Sequence, residues 1–323
     1  MLPTKPFHSM ENLYSGGDLE DGEVALCFLS SIVAGRVTPE EYEDVAYYTL
    51  LCIDNVIETM QYPFKHTELT AKARRSVGVG ITNLAHYLAS NFATYDSDYG
   101  KRLIHEHSER HYFNLLKGSL RLAKEKGNAE WMDKTKWSEG WLPIDTYAKA
   151  VDNITDFELK CDWESLRKEI IEQGGIRNSV LSAVAPNESS SLLSNTVNSV
   201  YPIRDLKLFK QSQKGNVLFI APDADKLKGL YQSAWNIDST HIADLYSIVT
   251  KFTDQGISCD SWVNLAEGVS SEAITREHVK FILKCAKQGV KSLYYLNSRT
   301  KQSGTIAEEF GELKDVACES CDV

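Results

Sequence analysis

Helix stop signals placed directly before short apolar runs restrict this chain more than any other feature. Asp162 to Gln173 has helical periodicity and ends at Gly174-Gly175, and the small apolar run Ser179 to Ala185 follows at once. A helix capped by Thr275 carries Val279, Ile282, Leu283 and Ala286 on one face. It stops at Gly289, just before the run that holds Tyr294 and Tyr295. Helices alternating with short strands in this way predict an α/β layout.

The rest of the chain extends the pattern. Thr38-Pro39-Glu40-Glu41 is a helix start, with Val45, Tyr48, Cys52 and Val56 as the predicted inward stripe. Arg74 to Gly80 reads as a loop leading into a helix through Ile81, Leu84 and Leu88. Its Gly78-Val79-Gly80 is too short to cradle a phosphate and suits close backbone packing instead. A long helix is predicted over 98–126. A hairpin follows over 206–220 with Lys214-Gly215-Asn216 at its turn, then helices through Leu227 to Trp235 and Thr240 to Thr253, and a strand over 257–263. No internal repeat is visible.

A net charge of −10 without a basic stripe argues against a nucleic-acid binder. The apolar runs are too short to span a bilayer, and the first residues lack the apolar core of a signal peptide, so a cytoplasmic setting is expected. The seven cysteines are mostly scattered, which disfavours a disulfide framework. Cys52 and Cys285 are expected to be small buried hydrophobes, and Cys161 and Cys259 carry no motif.

Three stretches carry chemistry. In Lys291 to Arg299, Tyr294 and Tyr295 are adjacent phenols that hold their protons at neutral pH, so an electron and a proton must leave together. A plain strand would point one ring to each face, and a two-ring relay needs a local departure from that geometry. Pro186-Asn187-Glu188-Ser189-Ser190-Ser191 is a polar turn between a strand and a helix start. It suits either a phosphate at the helix end or ordinary serine capping. Cys318 and Cys321, near the acidic terminus, suit a mobile dithiol, since a lone Cys-x-x-Cys lacks two ligands of a zinc site.

Taken in order, these stretches resemble the C-terminal half of the large, catalytic subunit of class Ia ribonucleotide reductase. Leu2-Pro3-Thr4-Lys5-Pro6, Gly22 to Cys27, Arg74 to Gly80, Leu142 to Tyr147, Arg177-Asn178-Ser179, the 186–191 turn, Leu293-Tyr294-Tyr295 and the cysteine tail carry the likeness over nearly the whole chain. The resemblance implies the second half of a ten-stranded α/β barrel over 1–300 and a flexible redox tail over 301–323. It implies that Tyr295 takes the radical from a small subunit bearing a tyrosyl radical and a di-iron centre, and hands it to Tyr294. Tyr294 would then oxidise an active-site cysteine to a thiyl radical. Cys27 would be one of the two thiols that reduce the ribose. Cys318 and Cys321 would restore them and be renewed by thioredoxin or glutaredoxin. The 186–191 turn (Pro186, Asn187, Glu188, Ser189, Ser190, Ser191) would hold the diphosphate of a ribonucleoside diphosphate. No cofactor or metal is expected on this chain itself.

In that family an Asn-x-Cys-x-Glu segment with the thiyl cysteine precedes the Leu-Pro-Thr-Lys-Pro stretch, and here that stretch starts at Leu2. The expectation is therefore one piece of a split large subunit, as in some phages, inactive without an N-terminal piece. The alternative is a non-catalytic regulatory or scaffold remnant of the same fold. A free-standing thiol oxidoreductase lacks a thioredoxin-like context around its cysteines.

Overall fold

The computed structural model describes residues 5–19, 21–212, 215–265 and 270–299. In chain order the elements begin with α1 (Met10–Ser15), β1 (Phe28–Val33), α2 (Tyr42–Thr59), α3 (Lys65–Arg74), β2 (Val77–Thr82), α4 (Leu84–Ser90) and α5 (Asp98–Lys126). Next come α6 (Pro143–Thr146), α7 (Trp163–Gln173), α8 (Glu188–Leu193) and the hairpin β3 (Lys207–Ser212) and β4 (Gly215–Ile220). Then follow α9 (Ala224–Leu227), α10 (Ser239–Thr250), β5 (Ser261–Asn264), α11 (Ser271–Lys287) and β6 (Leu296–Arg299).

β1, β2, β5 and β6 form one open row together with the extended segment 179–184, and the β3–β4 hairpin is a separate sheet. β1 pairs parallel with β2, Phe28 opposite Val77. β2 is bonded to the 179–184 segment through Val77 N–H to the Val180 carbonyl and Val79 N–H to the Leu181 carbonyl. That segment meets the next at Val184 and Ile257, again parallel. β5 then pairs parallel with β6, Ser261 opposite Leu296. Parallel neighbours need long crossovers, and helices supply them between successive members of the row. The result is an α/β row of five segments, half the ten strands of the barrel that the resemblance implies, with β1 and β6 as its two edges among the described residues.

β2 corrects the expectation of a loop over 74–80. Every residue from Val77 to Thr82 is buried, as in a strand covered on both faces. Its glycines misled because they look like breakers. Added to Gly78, a Cβ would stand 2.7 Å from Cys27 Sγ and 3.0 Å from Ala183 Cβ; at Gly80 it would stand 2.8 Å from the Ala183 carbonyl. Close approach between neighbours is the reason for both.

Two predicted stripes face the wrong way. On α2 the buried residues are Tyr42, Ala46, Tyr47, Leu50, Ile53, Asp54 and Ile57, whereas of the predicted stripe Tyr48, Cys52 and Val56 are exposed and only Val45 packs against the core. The Thr38–Glu41 capping contact does form, with Thr38 Oγ1 donating to Glu41 at 3.0 Å, but helix begins at Tyr42. On α11 Ser270 is the cap and Thr275 bonds back to the Ser271 carbonyl. Phe281 and Cys285 face inward there, while Val279, Ile282 and Leu283 are exposed. In both helices two apolar stripes compete, and tertiary packing chooses the one periodicity did not favour. The helix expected through Trp235 ends at Leu227, and the expected hairpin-turn residues Gly215 and Asn216 lie in β4.

The Arg74-Arg75 and Arg177-Asn178-Ser179 stretches prove to be one latch. Arg75 donates to Asp54 at 2.8 Å, Arg177 Nε to the same oxygen at 3.0 Å and Lys126 to the other at 3.1 Å. Asn178 donates to the Arg75 carbonyl, and Ser76 and Ser179 share a 3.0 Å hydroxyl bond. The latch ties α2, the α3 C-terminus, the end of α5 and the 179–184 segment together.

α5 packs α2 on one side and α10 on the other, and it buries His105, His107 and His111. His105 stacks flat on Phe157, His107 lies against Tyr42 and Tyr87, and His111 bonds Tyr42 and the Val79 carbonyl. Burial pushes the first two down to about 3 and the third to about 4. Unfolded histidines titrate near 6.5, so below that pH the unfolded chain takes up protons that the folded chain refuses. Stability is therefore fully present above about pH 6.5 and falls as pH drops, by roughly 1.4 kcal/mol per pH unit per histidine. Urea midpoints measured from pH 7.5 to 5 should fall steadily, and His107→Gln should flatten the slope. A midpoint unchanged across that range would contradict the burial of these rings in the folded state.

Candidate functional site

The tyrosine pair sits where the row's last strand is irregular. β6 begins only at Leu296, so Tyr294 and Tyr295 precede the regular ladder. Their ring centroids are 3.9 Å apart with planes tilted by 45°. The one-ring-per-face arrangement of a plain strand is thus absent, and the departure a relay requires is present. Both rings remain half open to solvent, at 47% and 60% exposure. The neighbouring Tyr295 side chain, followed by burial and by the charge of Asp260, holds the Tyr294 phenol above its ordinary value.

The 186–191 turn is held from behind. Asn187 accepts from the Ser199 amide at 2.7 Å and from Thr82 Oγ1 at 3.1 Å, while its own amide donates to Asn198. Its side chain is therefore a staple for the turn and makes no cap bond to α8. Ser191 is buried and donates to the Glu188 carbonyl at 2.8 Å. Pro186, Glu188, Ser189 and Ser190 are exposed.

Glu188 and Ser191 line a pocket together with Tyr201, Arg204, Asp260 and Trp262, closed on one side by Leu208 and Phe219 of the hairpin. Asp260 is buried and lies within the electrostatic reach of Tyr294, Glu188 and Arg204. Burial raises its pKa, with Glu188 adding to the rise, against the lowering effect of Asn297, the Tyr295 amide and Arg204. Asp260 thus lines the pocket with Glu188 and Ser191 and accepts the Tyr295 amide at 3.3 Å, whereas neither Tyr294 nor Tyr295 belongs to the pocket lining.

Cys27 stands elsewhere, immediately before β1 at the opposite end of the row. The residue as a whole is exposed, yet its sulfur faces protein, against Gly78. Burial, opposed by a bond to Gln255 and reinforced by the Asp254 carboxylate, pushes the thiol up to about 11. The pocket lining does not include it. As it stands this is a resting thiol, not a thiolate nucleophile. Alkylation of Cys27, followed peptide by peptide, should be slow at pH 7 and rise about tenfold per pH unit up to pH 10. A rate already level by pH 8 would show that the sulfur is not held this way. Cys318 and Cys321 lie outside the described residues.

Sequence reasoning missed Asp260, Tyr201 and Arg204. An available signal for the first was a carboxylate inside a short stretch expected to be a strand, where a charge needs partners to be tolerated.

A row of parallel strands with helical crossovers, carrying a packed thiol at one end and two touching phenols at the other, defines an α/β domain. The chain belongs to the ribonucleotide reductase family: the model for "Ribonucleotide reductase, barrel domain" matches residues 3–296. It is 33% identical, over 99% of its length, to the ribonucleoside-diphosphate reductase subunit alpha of Buchnera aphidicola subsp. Schizaphis graminum, covering 41% of that protein. It is 36% identical to the subunit alpha of Haemophilus influenzae, over 92% of this chain and 39% of that one. With the subunit alpha of Enterobacteria phage T4 the figures are 34%, 93% and 40%. The chain thus spans about two fifths of the length of the curated relatives it matches. Among the described residues no helix is long and apolar enough to cross a membrane.

Proposed function

We propose that this chain is the C-terminal part of the catalytic subunit of a ribonucleoside-diphosphate reductase and supplies its radical relay and reducing thiols. Tyr295 takes an oxidising hole from a radical-bearing small subunit and passes it to Tyr294. Tyr294 regains an electron and a proton from a cysteine that the rest of the large subunit contributes, leaving a thiyl radical. The thiyl abstracts the 3′ hydrogen of a ribonucleoside diphosphate held at the 186–191 turn. Cys27 and a partner thiol give two electrons and two protons, the 2′ hydroxyl leaves as water, and a disulfide remains. The 3′ hydrogen returns at the end. Cys318 and Cys321 reduce the disulfide by exchange and are themselves renewed by thioredoxin or glutaredoxin.

The observation that carries this reading is the contact of the two rings at 3.9 Å, in a place where strand geometry alone would separate them. The family membership supports the substrate class, and the open row of five segments supports the need for the remainder of a barrel, on the same polypeptide or another. The direct test is reconstitution. The chain is combined with the rest of a large subunit and a radical-bearing small subunit, and deoxyribonucleotide formation from a ribonucleoside diphosphate is assayed. Turnover is expected in the full mixture and absent when either component is withheld. Turnover by this chain alone, or none in the full mixture, would refute the proposal.

A further inference from the structure

The departure from strand geometry at the tyrosines has a definable origin. In the β5–β6 register Ser261 is opposite Leu296, and the Ser261 amide donates to the Tyr295 carbonyl at 2.8 Å. A parallel ladder repeats every two residues, so the Cys259 carbonyl should receive the amide of Tyr295. It receives the amide of Tyr294 instead, at 3.0 Å. One extra residue has entered this side of the ladder, and the Tyr295 amide is displaced from it. That amide points to the Asp260 side chain, with Oδ1 at 3.3 Å.

The carboxylate is itself fixed. Asn297 Nδ2 donates to Oδ2 at 3.0 Å, and Arg204 donates to Asn297 Oδ1 at 3.2 Å. The Tyr246 hydroxyl holds the Asp260 carbonyl at 2.6 Å. Asp260 is 5% exposed, and a buried carboxylate bonded to a neutral amide is costly to keep where an apolar residue would fit a strand.

We propose that Asp260 is the positioning residue of the tyrosine pair: its carboxylate replaces the strand as acceptor for the Tyr295 amide, holds the one-residue slip and so keeps both rings on one side of the sheet. The geometry stands by itself; the purpose rests on the relay proposed above. Without the carboxylate the regular ladder becomes the favoured arrangement, and a slip of one residue turns a side chain to the opposite face.

The test places 3-fluorotyrosine at position 295 of the full chain and records its fluorine resonance with Tyr or Leu at 294. With Asp260 intact, Tyr294→Leu should move the resonance, because the neighbouring ring's current is lost. Asp260→Asn keeps an oxygen acceptor and should retain that sensitivity. Asp260→Ala should abolish it. Equal sensitivity in Asp260→Ala and the native chain overturns the assignment, as does an Asp260→Asn variant that behaves like Ala. If circular dichroism shows Asp260→Ala unfolded, Asn297→Ala is read in its place. It releases one oxygen of the same carboxylate and should weaken the sensitivity, and no weakening overturns the proposal. The measurement involves no turnover, so failure of the relay and failure of the positioning role are told apart.

Discussion

Turnover of a reductase assembled with Tyr294→Phe should fall by about three orders of magnitude or more, equivalent to ~4 kcal/mol of added barrier. Phenylalanine keeps the ring but has no proton to release with the electron, so the coupled transfer that a phenol permits at neutral pH is closed. Tyr295→Phe should do the same, because it removes the same releasable proton from the other ring of the touching pair. Both side chains are about half exposed, so loss of either hydroxyl should change stability by no more than about 0.5 kcal/mol. The two measurements together separate loss of the relay from loss of the fold. Either variant turning over within tenfold of the native assembly would end the relay proposal.

Asp54→Ala should be the most damaging of the simple stability variants, costing about 3–5 kcal/mol by leaving three cations around an empty centre. Asp54 is 2% exposed, and Arg75, Arg177 and Lys126 all converge on it. Burial by itself would raise its pKa, but the Arg177 bond and charge, the Arg75 charge and the Lys126 bond outweigh it and hold the carboxyl below the usual range. A carboxylate lowered on folding stabilises above its unfolded pKa, near 3.9, and loses that contribution as pH falls through the folded value. The gap between native and Asp54→Ala should therefore be full at pH 7 and close toward pH 3. Urea unfolding of the two chains at both values is the measurement. A gap under 1 kcal/mol at pH 7 would show that the cations find other partners.

What could be read from the residues was whatever local chemistry decides. Ser97 and Gly127 bound α5 at the limits that periodicity indicates, and Asp162 with Gly174 does the same for α7. The Tyr-Tyr and Pro-Asn-Glu-Ser stretches stand out by their residues, whereas Cys27 is singled out only by the family resemblance. Long-range choices were not. β2 looked like a loop because glycines at 78 and 80 answer to Cys27, Leu29 and Ala183, residues that sequence does not place beside them. α2 had two plausible stripes, and only its packing on α5 selects Tyr42 to Ile57. Asp260 escaped notice because its role is to accept a main-chain amide 35 positions away.

The slip beside Cys259 also changes how dipeptides of this kind are to be scanned for in other genomes. Two consecutive tyrosines in an apolar run do not by themselves predict touching phenols, since uninterrupted pleating would set them back to back. A search that demands an acidic residue on the preceding strand, at the height of the second tyrosine's amide, would discard ordinary sheet edges and retain chains able to conduct a hole.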